Sequence, residues 1–424
     1  MRMGQLAGEM QFYLNRFGEK LWVKPLAACV LSIFGALLAR AANETGLDQY
    51  VPDITAESVE TLLSIMASSM MVIATLAVGS MVAAYSSASN TASPRAFPLV
   101  LADDISQFAL SAFIGTFIYS LVGLVAAKNS YFDAGGRFVL FSLTVLVFCI
   151  VILTFVTWID RIARLGRLEM IIGKVARATG TALDGRKAKP HMGGMPAHSV
   201  KDGRAIYTRR VGYLQHIDIH GLQRLAEDMD GHITVAAMPG MCIAPDTPLA
   251  YVQGGSGGQG AWNADDVIAK FQIGKTRTFD EDPRYGFVVL SQIACRALSP
   301  AVNDPGTAID VLTHSLDLLN RLQEPVSGEK AVEAECTRVM VPALDVNDLF
   351  DDAFTAIGRD GAGSIEVATH FQKVLCSLRA TGDAATRTAA AHHARRALAL
   401  SDNEAALLPE DRERLRAICE RDDG

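Results

Sequence analysis

The sequence predicts a membrane protein in two parts: an α-helical four-span transmembrane domain, then a cytosolic α+β domain ending in a helical bundle. Three observations carry this. Four apolar stretches crowd the first 160 residues. Their flanking Lys/Arg bias suits an even number of crossings. Beyond Arg161 charges and turn residues become frequent, and no later run is long enough to cross a bilayer.

The stretches cover residues 21–42, 62–85, 105–127 and 138–159. Each has about 20 residues, which at ~1.5 Å per residue matches a hydrocarbon core of ~30 Å. The first is read as a retained helix rather than a signal peptide, because its apolar run is too long and no clear small-residue cleavage site follows. Arg2, Arg16, Lys20 and Lys24 precede it, and Arg161, Arg164, Arg167, Lys174 and Arg177 follow the fourth. The loop after the first stretch carries Glu44, Asp48, Asp53, Glu57 and Glu60 against Arg40 alone. Both termini are therefore expected on the cytoplasmic side of a membrane that the chain crosses several times, with the first loop on a periplasmic or external face.

The expected division is a cytoplasmic segment at 1–20, the transmembrane domain at 21–160, a basic juxtamembrane segment and linker at 161–203, the α+β domain at 204–345 and a helical region at 346–424. Residues 184–203 are rich in glycine and basic residues and contain two prolines, which reads as a weakly ordered linker. Basic residues beside a bilayer attract anionic headgroups, so lipid contact is expected there. The seven cysteines form no CxxC pair and read as free thiols in a reducing compartment.

In the soluble part, alternation at 207–217 and 232–238 predicts strands, with a helix at 219–229 between them. Pro239-Gly240 predicts a tight turn into short strands ending near Val252. The glycine-rich run 254–260 lacks the Gly-Lys-Ser/Thr continuation of a phosphate loop and reads as a flexible connection. Helices are expected at 264–273, 282–297, 305–322, 347–357, 364–379, 383–400 and 409–421, with short strands near 275–279 and 337–341.

The pieces VGYLQHIDIHGL, MPGMCIAPDTPLAYV, RTFDEDPRYGF and LSQIACRALSPAVNDPGTA resemble hallmark segments of the bacterial family labelled domain of unknown function 2254. SSASNTASPRAF, at the end of the second stretch, resembles that family's Ser-Pro-Arg signature. The resemblance runs from the first stretch to about residue 325. It implies four spans with a cytosolic domain, and no established activity.

Residues 298–305 read as a fixed corner between two helices. Pro300 and Pro305 restrict the backbone, and Asp304 is placed to cap the helix that begins at Pro305. Arg277, Arg296, Ser299, Asn303 and Asp304 form either this structural corner or a ligand site, since the two arginines can hold an anion or pair with Asp280, Asp282 or Asp304. Catalytic signals are weak. His216 and His220 sit at a strand end, where side chains four apart do not converge. Asp310 and His314 share a helix face without a third ligand. No nucleophile elbow, HExxH or Walker motif occurs. No enzyme activity, cofactor, metal or nucleic-acid partner is expected.

The second stretch carries the sharpest functional signal. Ser64, Ser68, Thr75, Gly79 and Ser86 recur at intervals of four, seven, four and seven, placing them along one helix stripe. Small residues in a membrane let helices approach closely, so the stripe is a packing seam or the wall of a conduit. Four helices are too few to enclose a wide aqueous path in one subunit, whereas a closed ring of copies can place this helix around an axis. The expectation is a homo-oligomeric channel for ions or small solutes, with Asn90, Arg95, Asp103 and Asp104 near its cytoplasmic mouth. The alternative is a membrane-anchored sensor or scaffold whose cytosolic domain binds a small ligand or protein partner.

Overall fold

A computed structural model describes residues 23–41, 52, 54–101, 104–164, 167–197, 202–254, 262–324 and 334–420. The chain divides into two compact units, Met1–Met170 and Ile171–Gly424.

The first unit contains α1 (Val23–Ala41), α2 (Ala56–Thr91), a 3-10 turn at Pro94–Ala96, α3 (Phe97–Leu101), α4 (Asp104–Lys128) and α5 (Ala134–Arg164). Among the described residues three helical segments, not the expected four, are long and apolar enough to cross a membrane: Ala56–Ser87, Ile105–Lys128 and Ala134–Arg164. The expected first span is helical over the 19 residues of α1. Lys24 and Arg40 stand near its two ends, and about half of its side chains lie outside the described residues.

α2 packs against α4 and α5. Its inward face is the apolar line Val59, Leu63, Met66, Met70, Ala74, Ala77 and Met81, recurring at three and four residues as a helix requires. Met70, Ala74 and Ala77 meet Ala109, Phe113, Val151 and Trp158, while Val59 and Leu63 meet Tyr119, Phe132 and Leu140. A buried hydroxyl pair joins α4 to α5 inside this packing, which suits a hydrocarbon setting. Thr144 Oγ1 donates to the Leu140 carbonyl at 2.6 Å and lies 2.9 Å from Tyr119 Oη.

The second unit opens with α6 (Leu168–Ala188), followed by β1 (Gly194–Pro196), β2 (Arg204–Ile206), β3 (Gly212–Ile217), α7 (Ile219–Asp228), β4 (Gly231–Val235), β5 (Cys242–Ile243) and β6 (Ala250–Gly254). It continues with α8 (Ala264–Ile268), β7 (Phe271–Gly274), α9 (Pro283–Ala297), α10 (Pro305–Gln323), β8 (Cys336–Val341), α11 (Val346–Asp360), α12 (Ile365–Thr381), α13 (Ala384–Asp402) and α14 (Pro409–Glu420). One sheet has the order β1-β8-β4-β6-β2 and a second the order β5-β3-β7. In the larger sheet β8 runs parallel to both neighbours, and the other pairings are antiparallel. Ile233, Val235, Val252, Val339 and Val341 from this sheet share a core with Leu214, Ile217, Leu222 and Phe271. The result is a mixed α/β domain with a helical region in which α11, α12 and α13 pack on one another and α14 covers α12 and α13.

The expected linker is different over most of its length. Residues 168–188 form a helix whose Ile171, Ile172, Val175, Thr179, Leu183 and Arg186 are buried in the second unit, and β1 then pairs with β8. Basic residues on the other face masked this period of three and four. The expected helix 264–273 stops at Ile268, and Phe271–Gly274 joins β3 as a strand in place of the one expected at 275–279. The glycine-rich run 255–260 lies outside the described residues.

Candidate functional site

The hydroxyl stripe of α2 lies on the face opposite its packed apolar line. Ser64, Ser68, Thr75, Gly79 and Ser86 are all exposed, and a Cβ added at Gly79 meets open space. Thr75 and Gly79, with Met71 and Ala83, line a shallow open groove along the helix. The hydroxyls are not left bare. Ser68 Oγ donates to the Ser64 carbonyl at 3.0 Å and Thr75 Oγ1 to the Met71 carbonyl at 2.9 Å. Within one chain, then, no other described helix closes on this stripe. Arg95 is exposed in the 3-10 turn, where Pro94 and the Ser93 hydroxyl, 3.2 Å from the Arg95 amide, mark the end of α2. Asp103 lies outside the described residues, as do the side chains of Asn90 and Asp104.

The five residues of the expected corner separate onto the two ends of α9. At its C-terminal end Ser299 Oγ donates to the Arg296 carbonyl at 2.7 Å, Asn303 adopts φ +50°, and the Asp304 amide donates to the Ala297 carbonyl at 2.8 Å. Asp304 then caps α10, accepting from the Thr307 amide at 3.1 Å and the Thr307 hydroxyl at 2.6 Å. These two bonds hold its carboxyl below the usual range. Arg277 is at the other end, with Nε 2.7 Å from Asp282 Oδ2 and Nη2 2.9 Å from Oδ1.

Around that N-terminal end of α9 several charged side chains gather. Asp282 is buried and caps α9 at the Tyr285 amide, while Arg277 lies over the Tyr285 ring at 5.1 Å. Arg284 pairs with Asp348 and Asp352 of α11. Glu281 Oε1 is 2.6 Å from His216 Nδ1, and this bond holds the imidazole above its usual pKa. Arg186 reaches in from α6, and its Nη2 donates to the Glu281 carbonyl at 3.3 Å. Burial lowers its pKa, with Glu281 and Asp282 opposing. Two cavities flank this group, one of about 370 Å³ beside α6, β3 and α7, the other of about 380 Å³ beside residues 238–241 and 342–345. Both are lined by Arg186 and Glu281.

A third cluster joins Cys336, His220 and Glu335. Cys336 Sγ lies 3.4 Å from His220 Nδ1, and His220 Nε2 lies 3.4 Å from Glu335 Oε2. Burial raises the thiol's pKa, opposite to the shift an activated cysteine nucleophile requires. No group of three or more His, Cys, Asp or Glu among the described residues is arranged to hold a metal.

The family described as predicted membrane protein, domain of unknown function 2254, matches residues 18–377. The chain belongs to this family. Three uncharacterised proteins, one from Mycobacterium bovis and two from strains of Mycobacterium tuberculosis, are each 24% identical to it over 314 residues, which is 69% of this chain and 58% of theirs. The chain thus spans less than two thirds of the length of these relatives. No solved structure matches it.

In this member of the DUF2254 family, three of the segments that carry the resemblance meet at one place. VGYLQHIDIHGL supplies His216 and His220, MPGM supplies the turn at 238–241, and RTFDEDPRYGF supplies Arg277, Glu281 and Asp282 to the cavities and their walls. Sequence reasoning singled out Arg277 but missed Arg186 and the His216–Glu281 pair. Arg186 lies in the stretch that reads as a linker, and the signal that separates it is the apolar period from Ile171 to Leu183.

Proposed function

We propose that this protein is a multi-pass protein of the bacterial inner membrane that assembles from identical copies around a conduit for ions or small solutes. In this reading α1 adds a fourth, shorter crossing, both termini face the cytoplasm, and the α/β unit is a cytosolic regulatory domain. The observation that carries it is the outward face of α2. Ser64, Ser68, Thr75, Gly79 and Ser86 are exposed on a helix long and apolar enough to cross a membrane. A hydroxyl-lined stripe gains little from lipid tails, and a neighbouring copy or water satisfies it better. A ring of copies places the stripe on a common axis, with Arg95 and the Asp103–Asp104 pair toward its inner end. The basic residues that follow α5 are then placed to meet anionic lipid.

The test is reconstitution of the purified full chain into vesicles, with particle mass measured in parallel. A closed oligomer that passes ions or small solutes supports the reading. Well-assembled protein that passes nothing over varied voltage and ion content counts against it.

One observation favours a second reading. The buried charges around Arg186 and the cavities beside them suit a membrane-anchored sensor whose cytosolic domain binds a small ligand without any conduit.

A further inference from the structure

Residues 207–211 connect β2 to β3 and so join the larger sheet of the second unit to the smaller one. This short turn is held at both ends and at its centre. Ile206 pairs with Ala250, and its carbonyl accepts from the Leu249 amide at 2.8 Å. At the other end Gly212 pairs with Ile243. Between them Thr208 is buried, and its Oγ1 accepts from the Arg210 amide at 3.2 Å. With Thr208 turned inward its neighbours stand outward. Tyr207, Arg209, Arg210 and Val211 are all exposed, Val211 to 71%. No carboxylate among the described residues pairs with either guanidinium. Gly274 pairs with Tyr213, so the exposed Lys275 emerges at the same end of β3 and adds a third cation. Asp246, which follows β5 at this end, is exposed and pairs with none of the three.

We propose that this turn rests on an anionic bilayer surface, with Tyr207 and Val211 in the headgroup region and Arg209, Arg210 and Lys275 on lipid phosphates. An exposed valine or tyrosine is ordinary when it stands alone. Here two apolar tips flank two unpaired guanidiniums, the mixture that settles at a membrane interface: the cations meet anionic headgroups while a tyrosine ring lies at headgroup level. The first unit fixes the choice of partner, because its three membrane-length segments tether the chain to a bilayer. The turn is already ordered by Thr208 and its flanking strands, so little conformational freedom is lost on contact. The inference rests on the second unit lying outside the bilayer that holds the first, and it needs no conduit. Entry into a nanodisc is read separately from contact of the turn with lipid, so failure of the membrane reading and failure of this inference are distinguishable.

The experiment places the full chain in nanodiscs of phosphatidylcholine alone or of phosphatidylcholine mixed with phosphatidylglycerol. Val211→Cys in an otherwise cysteine-free chain carries a nitroxide. With phosphatidylglycerol present the label is expected to lose most of its collisions with a water-soluble nickel chelate and to gain collisions with oxygen. Arg209→Ser with Arg210→Ser is expected to return the label to water, since each arginine at an anionic surface is worth roughly fivefold in occupancy. Neither guanidinium has a carboxylate partner among the described residues, so the unfolding temperature of this variant is expected to be kept. Asp228→Cys is the control. It ends α7 beside Gly231, which pairs with Gly254, whereas Ile206 meets the other end of β6 at Ala250, and its label is expected to stay aqueous in both discs. In the unmodified chain, hydrogen–deuterium exchange over residues 207–212 is expected to slow in the anionic discs, which reads the same contact without any substitution. The proposal is overturned if the label at 211 is equally aqueous in both discs and exchange is unchanged, or if the double arginine variant keeps the lipid signature. It is also overturned if the label loses water in detergent with dipolar broadening between copies, which would make the turn a contact between two chains.

Discussion

Asp282 is pressed against Gly240, so closely that a Cβ at Gly240 would run into its carboxylate. Met238–Met241 is a type II turn, with Pro239 at its second position, Gly240 at φ +94° in its third, and the Met241 amide donating to the Met238 carbonyl at 3.0 Å. Asp282 therefore abuts the turn while it holds the α9 amide of Tyr285 and the Arg277 fork. Asp282→Asn leaves Arg277 half-buried without its counter-charge and is expected to cost about 3 kcal/mol. Gly240→Ala is expected to cost about 1–3 kcal/mol through backbone strain, before any clash is counted. Denaturant unfolding followed by tryptophan fluorescence measures both, and losses under about 0.5 kcal/mol would show that this contact is incidental.

Asp304 offers a simpler case. Asp304→Ala removes the cap of α10 at an expected cost of about 0.5–2 kcal/mol. Because the two Thr307 bonds lower its pKa, the contribution is present above the ordinary carboxylate pKa and is lost as the pH falls through the lowered one. Unchanged thermal stability in the variant, with a lost response to an added anion, would move this corner from scaffold to ligand site.

His393 should make the helical region sensitive to mild acid. It is buried among Phe350 and Phe354, with Nε2 3.3 Å from Asp351 Oδ1, and burial takes its pKa from 6.5 down to about 4. The unfolded chain binds this proton first, so stability is complete above pH 6.5 and falls as the pH drops toward about 4. The loss attributable to this group is about 3 kcal/mol. His393→Phe is expected to flatten that part of the stability profile, and an unaltered slope would assign the acid sensitivity to other groups.

The sequence was legible where one periodicity dominated. The apolar runs of α2, α4 and α5, the start of α9 near residue 282 and the cap of α10 at Asp304 could be read directly because local chemistry decides them. α6 was not legible, since its buried line runs between Lys174, Arg177 and Lys187 and looks like a charged tether. The meeting of Arg186, His216 and Glu281 was hidden for a different reason. It joins residues up to 95 apart, and only the packing of α6 against α9, with Thr179 against Gly286, brings them together.

The topology reading can be checked by labelling single cysteines in a cysteine-free chain from outside intact cells. Asn129, exposed after α4, is expected to label, while Gln5 and Asp202 are not. Gln5 decides the first crossing. If it labels together with Asn129, α1 does not span the membrane and three crossings carry the protein.

The stripe on α2 separates wall from seam by what a bulky side chain does. Ser68 and Thr75 are exposed and spend their hydroxyl protons on their own helix, so Ser68→Leu and Thr75→Leu remove no tertiary bond within the chain. If the stripe faces a water-filled axis, either leucine narrows and dewets the path, and flux in vesicles falls while the oligomer keeps its mass. If the stripe is a seam between copies, the same leucines wedge helices apart, and particle mass or yield falls instead. Arg95→Ala adds an independent reading, because loss of a cation near the inner mouth shifts ion preference toward cations in a conduit and leaves a seam untouched. Preserved mass with preserved flux in both leucine variants would mean that the stripe faces lipid, and the conduit would have to be sought elsewhere.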